Sequence, residues 1–341
     1  MSSGKRVVLI IATILVIGGS AISFGAFAAA GFNFQNLSTE ARNWAPVTKT
    51  FEPEADAAHT AIIVNDGGEN VRIEASDGDA IEVTYWTNDN KTFDIADNGG
   101  VLSIEGSREP MIGVMMIGSL EDHTTVVKVP RSYAGSLEVG VSSGNIAINN
   151  LGTLTSVKAT TASGYIDVAR FEADSLVMQV TSGNVQASNI KATYVDAAAM
   201  SGSVNLDDVE ADETVKLDTT SGNQRMRGVS ALSIDAHIAS GNIDANGIAA
   251  DYVKLDATSG NLTGSFTGAD TDYVIEASAT SGNVSAPAGN ATATKHVIAH
   301  SMSGNVTLSF ASGGPNITSG SDAPEAPEPP EAPEAPEAPV M

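Results

Sequence analysis

The sequence predicts an all-β chain whose greater part is a parallel β-solenoid (β-helix) of about nine coils of about 20 residues. Three observations carry this. Ser-Gly pairs recur with their glycines at Gly144, Gly164, Gly183, Gly202, Gly222, Gly241, Gly260, Gly282 and Gly304, spaced 20, 19, 19, 20, 19, 19, 22 and 22 residues apart. Seven residues before each Gly stands an apolar residue: Leu137, Val157, Leu176, Val195, Val215, Ile234, Val253, Ile275 and Val297. Positions five before, two after and four after are also apolar or small, with Gln224 the polar exception. That alternation has the period of a strand, not of a helix. No repeat can bury its apolar face alone, so neighbours stack, rising by about 4.8 Å per coil to a rod of about 40 Å.

The N-terminal residues 1–34 read as a short cytoplasmic start and a transmembrane helix. Lys5 and Arg6 precede an apolar run from Val7 to Phe32, long enough to span a bilayer with some tilt. The basic flank puts the N-terminus inside and the bulk of the chain outside. The competing reading is a signal peptide cut after Ala26-Phe27-Ala28. Either way the rest of the chain is exported. Residues 35–57 form a linker. Residues 58–135 carry strand-like patches divided by turn signals such as Asp66-Gly67-Gly68, and form an N-terminal β region capping the solenoid, or else a small separate β-sandwich. Within it, Met111–Gly118 is either a buried strand or an adaptable binding patch.

The solenoid proper covers residues 136–313. Asn follows the Gly at Asn145, Asn184, Asn223, Asn242, Asn261, Asn283 and Asn305, with Tyr165 and Ser203 in the other two repeats. Gly supplies a positive φ and Asn tolerates one, so these sixteen residues are read as structural repeat turns. Stacked Asn side chains would also bond to one another from coil to coil. Six residues before each Gly the outward chain reads Glu138, Lys158, Val177, Asp196, Lys216, Asp235, Lys254, Glu276 and Ile298. Sequential stacking makes the sign alternate at every coil from Asp196 to Glu276, a device for register. Residues 314–341 form a disordered acidic tail of Pro-Glu-Ala units with polyproline character, a spacer or a charged guard on the last coil.

Composition excludes several functions. Seventeen Lys+Arg against 41 Asp+Glu give a net charge of −24, so the chain has no basic surface for nucleic acid. Cys is absent, which removes disulfides, thiolate metal sites and a Cys nucleophile. His237 and His300 share one outward position but stand three coils apart, roughly 14 Å, and are read as solvated side chains. The calcium-binding nonapeptide does not recur. Gly140-Val141-Ser142-Ser143-Gly144 matches a nucleophile elbow only in letters, because that motif needs a strand-to-helix turn. A polysaccharide enzyme would need clustered carboxylates and aromatic platforms, and Trp44 and Trp86 lie outside the repeats. No catalytic residue, metal ligand or cofactor is expected.

The membrane segment, the stretch Phe32-Asn33-Phe34-Gln35-Asn36-Leu37-Ser38-Thr39, the phrase Val126-Val127-Lys128-Val129-Pro130 and the repeated Ser-Gly-Asn together resemble the DUF4097 family of adhesin-like, β-strand-repeat proteins of the bacterial cell envelope. The resemblance covers roughly residues 32–313 and implies a surface-exposed solenoid; some relatives are associated with envelope-stress signalling. The family supplies no catalytic residues to carry over, and the Pro-Glu-Ala tail is not part of its pattern. The expected function is therefore a non-enzymatic, membrane-anchored adhesin-like protein whose partners are the membrane, through the N-terminal helix, and a surface ligand. That ligand is a host glycan, a matrix protein or the cell's own wall. The alternative is an envelope-stress sensor or scaffold acting with a membrane partner, and the third reading is a polysaccharide-active enzyme.

Overall fold

The computed structural model describes residues 44–52, 59–108, 123–312 and 316–320. The membrane segment, most of the linker, the Met111–Gly118 run and the Pro-Glu-Ala tail lie outside them. The described chain is all-β. Its one helix is the 3-10 turn Asp270–Asp272, and no described helix is long and apolar enough to cross a membrane.

The repeats pair in parallel, with the Ser-Gly turns of neighbouring rungs in register, so each repeat forms one rung of a continuous sheet. Inward side chains fall at the positions the alternation marks. Leu137, Val157, Leu176, Val195, Val215, Ile234, Val253 and Val297 are each at most 1% exposed. Small side chains stand at the next inward position, such as Ala159, Ala197 and Ala236, which keeps the core thin.

The N-terminal region supplies seven strands: β1 Ala45–Phe51, β2 Ala61–Asp66, β3 Val71–Ser76, β4 Ile81–Thr87, β5 Lys91–Asn98, β6 Val101–Arg108 and β7 Thr125–Pro130. Strands β2 and β3 stack directly on the Gly144 rung, in its own register. Strands β6 and β7 stack outside them. The end is then closed by antiparallel strands, β5 on β6, and β4 with β1 on β7. An antiparallel neighbour ends a parallel stack because it leaves no matching rung position for a further repeat.

The chain order and the stacking order part company at both ends. At the start, the first segment (β2, β3) lies inside the second (β6, β7). At the far end the Gly304 rung slots between the Gly260 and Gly282 rungs. This corrects the sequential stacking expected from the repeats. Lys254 meets Ile298, not Glu276, so the alternation of sign ends at Lys254. His300 stands two rungs from His237, not three, with Asp256 between them.

The reason is side-chain fit. Leu262–Phe266 pairs residue for residue with Val306–Phe310, which sets Phe266 on Phe310 at 4.8 Å between ring centres and places Leu308 over the side-chain-free Gly264. The Gly282 rung offers no aromatic there and carries Pro287, which cannot donate to a ladder and is tolerated at an edge. It is therefore the outermost rung, and the strand Asn316–Gly320 closes it in antiparallel pairing.

The nine repeat glycines form one column with φ between 137° and 150°. Conformation is the smaller part of the requirement. A Cβ on Gly241 would lie 1.5 Å from the carbonyl oxygen of Gly222 in the rung beneath, so no side chain fits. The Asn residues that follow do not adopt positive φ. Their carboxamides instead accept the backbone N–H of the next rung. Asn223 accepts from Asn242 at 3.1 Å, Asn242 from Asn261 at 3.0 Å, Asn261 from Asn305 at 2.9 Å and Asn305 from Asn283 at 2.9 Å. Asn145 and Asn184 serve Tyr165 and Ser203 in the same way, and Asn70 extends the column into the N-terminal region. A second left-handed corner, six residues after the Gly, is held by Asn150, Arg170, Asn189, Asp208, Gly228 and Gly247, with φ from 53° to 67°.

Three outcomes follow from this geometry. In the cysteine-free chain, the double variant Lys254→Cys/Ile298→Cys should form a disulfide on mild oxidation, because adjacent rungs stand about 4.8 Å apart. Lys254→Cys/Glu276→Cys, two rungs apart, should not, and a non-reducing gel or mass spectrum decides between the two orders. Gly241→Ala should lose about 3 kcal/mol or more in chemical denaturation, whereas Gly99→Ala should lose about 1 kcal/mol. Gly99 has a φ of 60° and nothing within 4 Å of the added carbon. Asn242→Ala, which removes an acceptor serving both the backbone and the side-chain N–H of Asn261, should cost about 1–2 kcal/mol in the same measurement.

Candidate binding face of the repeats

In a strand of period two, the residues between the inward ladders all point out. Eight, six, four and two residues before each Gly they form four columns on one broad face. In-register pairing brings like positions together, so the chemistry of the face is set column by column.

The column six before the Gly is ionic. Lys158 meets Glu138 at 2.7 Å, and the pairing places Lys216 between Asp196 and Asp235, and Lys254 beside Asp235. Lys158 and Glu138 are about half exposed, so the pair contributes no more than about 1 kcal/mol and acts on register. The column two before the Gly is neutral and includes two exposed methionines, Met200 at 60% and Met302 at 52%.

The column four before the Gly changes character along the stack. It opens small or neutral, with Gly140, Thr160, Gln179 and Ala198. It then becomes Asp218, His237, Asp256 and His300, neighbours in that order. His237 Nδ1 lies 3.7 Å from one oxygen of Asp256, and His300 Nδ1 lies 3.3 Å from the other. The insertion of the Gly304 rung creates this juxtaposition. It also sets the rings of Tyr252 and His296 6.4 Å apart. Among the described residues no three His, Asp or Glu side chains converge as metal ligands would.

Where the column is small, the face sinks into an open groove of about 410 Å³. Thr160 and Gln179 line its floor, Met200 stands on its rim and Asp218 marks its end. The groove holds no acid–base pair of the kind hydrolysis needs, and its polar groups are hydroxyls, one carboxamide and one carboxylate. Such a lining suits hydrogen bonding to an extended ligand.

The sixteen turn residues lie at the corner of the rungs beside this face, where they form a column bonded to itself and not a ligand cluster. Trp44 and Trp86, remote from the repeats in sequence, come together at the N-terminal end against His123, Trp44 stacked on its ring at 4.0 Å and Trp86 edge-on at 5.2 Å between ring centres. Sequence reasoning missed two features: the His–Asp–His sequence across three rungs, and in the N-terminal region the buried pair of Asp66 and Lys91 with the half-buried Glu69 beside it. The lengthening of the last two repeat spacings to 22 residues was the available signal for the first. The second had none, because its members are scattered among turn and strand signals.

The model of the Toastrack DUF4097 family matches residues 59–309. Among solved structures, a "putative lipid binding protein" from Parabacteroides distasonis is 15% identical, covers 79% of this chain and 98% of its own, and superposes with a TM-score of 0.44. A "putative adhesin" from Bacteroides fragilis is 12% identical over 78% of this chain and 97% of its own, with a TM-score of 0.38. A "putative adhesin" from Parabacteroides merdae is 14% identical over 78% and 95%, with a TM-score of 0.33. No curated protein sequence matches. With three quarters of its length matched, almost the whole of the described repeat structure, the chain belongs to the Toastrack DUF4097 family.

Proposed function

We propose that this is a non-enzymatic, adhesin-like protein of the bacterial cell envelope. In this reading residues 1–34 anchor it as a single-pass membrane segment, the stacked rungs form a β-solenoid rod outside the cell, and the face described above binds an extended ligand. The ligand is a polymer with repeating hydroxyl or amide groups, drawn from host glycan, matrix protein or the cell's own wall. One observation carries the reading. Four parallel columns of outward side chains repeat at a constant spacing and flank a groove with exposed methionine at its rim. A surface periodic at about 4.8 Å presents one chemistry many times over, which favours a repeating partner over a compact one. Methionine adapts its shape to what lies on it.

The test is binding of the purified chain, in detergent, to host glycans, matrix proteins and the producer's own envelope. Saturable binding to the host panel is the expected result. It should fall at least tenfold in the variant Gln179→Lys/Met200→Asp, whose changed side chains point outward and should leave stability within about 0.5 kcal/mol. Binding to the producer's envelope alone would replace adhesion by an envelope scaffold. Binding to neither, or binding indifferent to the double variant, would sink the assignment of this face.

A further inference from the structure

Asp66 ends β2 and Lys91 begins β5, and the two meet where the antiparallel cap is laid on the stack. Their side chains are 0% and 3% exposed. The Lys91 ammonium lies 2.8 Å from Oδ1 of Asp66 and 3.1 Å from Oδ2. The buried Thr125 hydroxyl donates to Oδ2 at 3.0 Å. The ring of Phe93 lies 5.1 Å from the lysine nitrogen, and Gly106 closes the other side: a Cβ there would stand 3.0 Å from that ring and 3.3 Å from Cγ of Asp66. A third ionisable group reaches the same nitrogen. Glu69 Oε1 is 3.8 Å from it, with its side chain 18% exposed and Arg108 at 3.5 Å on its outer side.

An ion pair so enclosed loses the hydration of both charges, and its mutual attraction repays that loss only in part. Transfer of one proton from the ammonium to the carboxylate leaves an amine facing a carboxylic acid with no net change of charge. The neutral amine is a nucleophile and the neutral acid an electrophile, already held within van der Waals distance. Burial pushes the Glu69 carboxyl above its usual range against the opposing pull of Lys91 and Arg108, which equips it to hold and release a proton beside them.

We propose that Lys91 and Asp66 become joined by an intramolecular isopeptide bond, formed by the folded chain itself with Glu69 as proton carrier. A proton passes from the ammonium to the carboxylate, giving amine and acid. The Nζ lone pair attacks Cγ and the Nζ–Cγ bond forms. Protonated Glu69 gives its proton to the departing Oδ1 hydroxyl, the Cγ–Oδ1 bond breaks and one water leaves. Glu69 then takes the surplus proton from nitrogen and returns to its starting state. Oδ2 remains as the amide oxygen, held by Thr125. Lysine amine and carboxylic acid give amide and water, so neither oxidant nor co-reactant is needed. The enclosure that brings the groups together also keeps water from returning to hydrolyse the bond. The linkage would clamp the β5 cap to the inner rung β2 across 25 residues, a covalent staple in a chain that has no cysteine. It stands independently of the binding function.

Peptide mapping of the full-length protein tests it. The expected result is a tryptic map in which cleavage at Lys91 is lost. In its place appears a branched species joining the Asp66 and Lys91 peptides, lighter than their sum by the mass of one water. Glu69→Gln leaves the ion pair and the packing in place. That variant should give both peptides separately at full mass, with a slower-migrating band on a denaturing gel. A wild-type chain cleaved normally at Lys91, with the Asp66 peptide at full mass, would overturn the bond. Complete linkage in Glu69→Gln would overturn the role given to Glu69.

Discussion

At the Ser-Gly-Asn corner each rung rests on the next with only backbone between them. The glycine of one rung lies so close to the carbonyl of the rung beneath that a single added carbon would overlap it, from Gly164 to Gly304. Everything else in the repeat region follows from that approach. It fixes the register, because a slip by one residue would carry Ser or Asn into a space that admits no side chain. The Asn that follows then meets the N–H of the next rung at hydrogen-bond distance, and every inward ladder falls into line behind it.

A fixed register also dictates what the surface must avoid. Identical positions stand one above another, so a repeat copied without change would stack like charge on like charge. The column six before the Gly escapes this by alternating Asp with Lys through four consecutive rungs, Asp196 to Lys254, and then by a neutral residue, Ile298. The column four before the Gly uses His between carboxylates. Both are surface pairs of small individual worth. Their value is that every displaced register would be worse. The same rule turns the surface into a periodic display, so a physical device that secures folding also defines the character of the outward face.

The sequence disclosed this periodic part because it is periodic. Nine glycines at nearly constant spacing, with an apolar residue seven before each, are enough to place the rungs, their inward faces and their outward columns. Order among the rungs is a different matter. Spacing says which residues are equivalent and not which rungs touch. Neighbourhood at the far end is decided by Phe266 matching Phe310, by Gly264 leaving room for Leu308, and by Pro287 refusing an inner place. Each is a pairwise fit that no repeat pattern encodes. The His237–Asp256–His300 arrangement depends on that order, and so it appears only in three dimensions. The turn role of Asn was half legible: its place in the column follows from the pattern, but its work is to accept a backbone N–H, not to tolerate a positive φ.

The two ends of the stack are closed in different ways. At the far end Phe266, Phe310 and Tyr273 fill the interior, with the Tyr273 hydroxyl bonded to the carbonyl of Ala250 at 3.1 Å, and the rung carrying Pro287 is closed by an antiparallel strand. At the near end the closure needs more. The first stacked segment is overlaid by the second, antiparallel strands cover both, and a charged group is buried where cap and stack meet. Burying Lys91 with Asp66 is a poor way to gain stability when apolar residues of similar size would serve. The pair is better understood through what it specifies: the cap must sit where the Lys91 nitrogen reaches the Asp66 carboxyl group, which is also the placement that the proposed amide bond requires. Among the described residues the two closed ends leave the long lateral faces open, and the face before the glycine column, which we propose as the ligand face, carries both the groove and the changing charge.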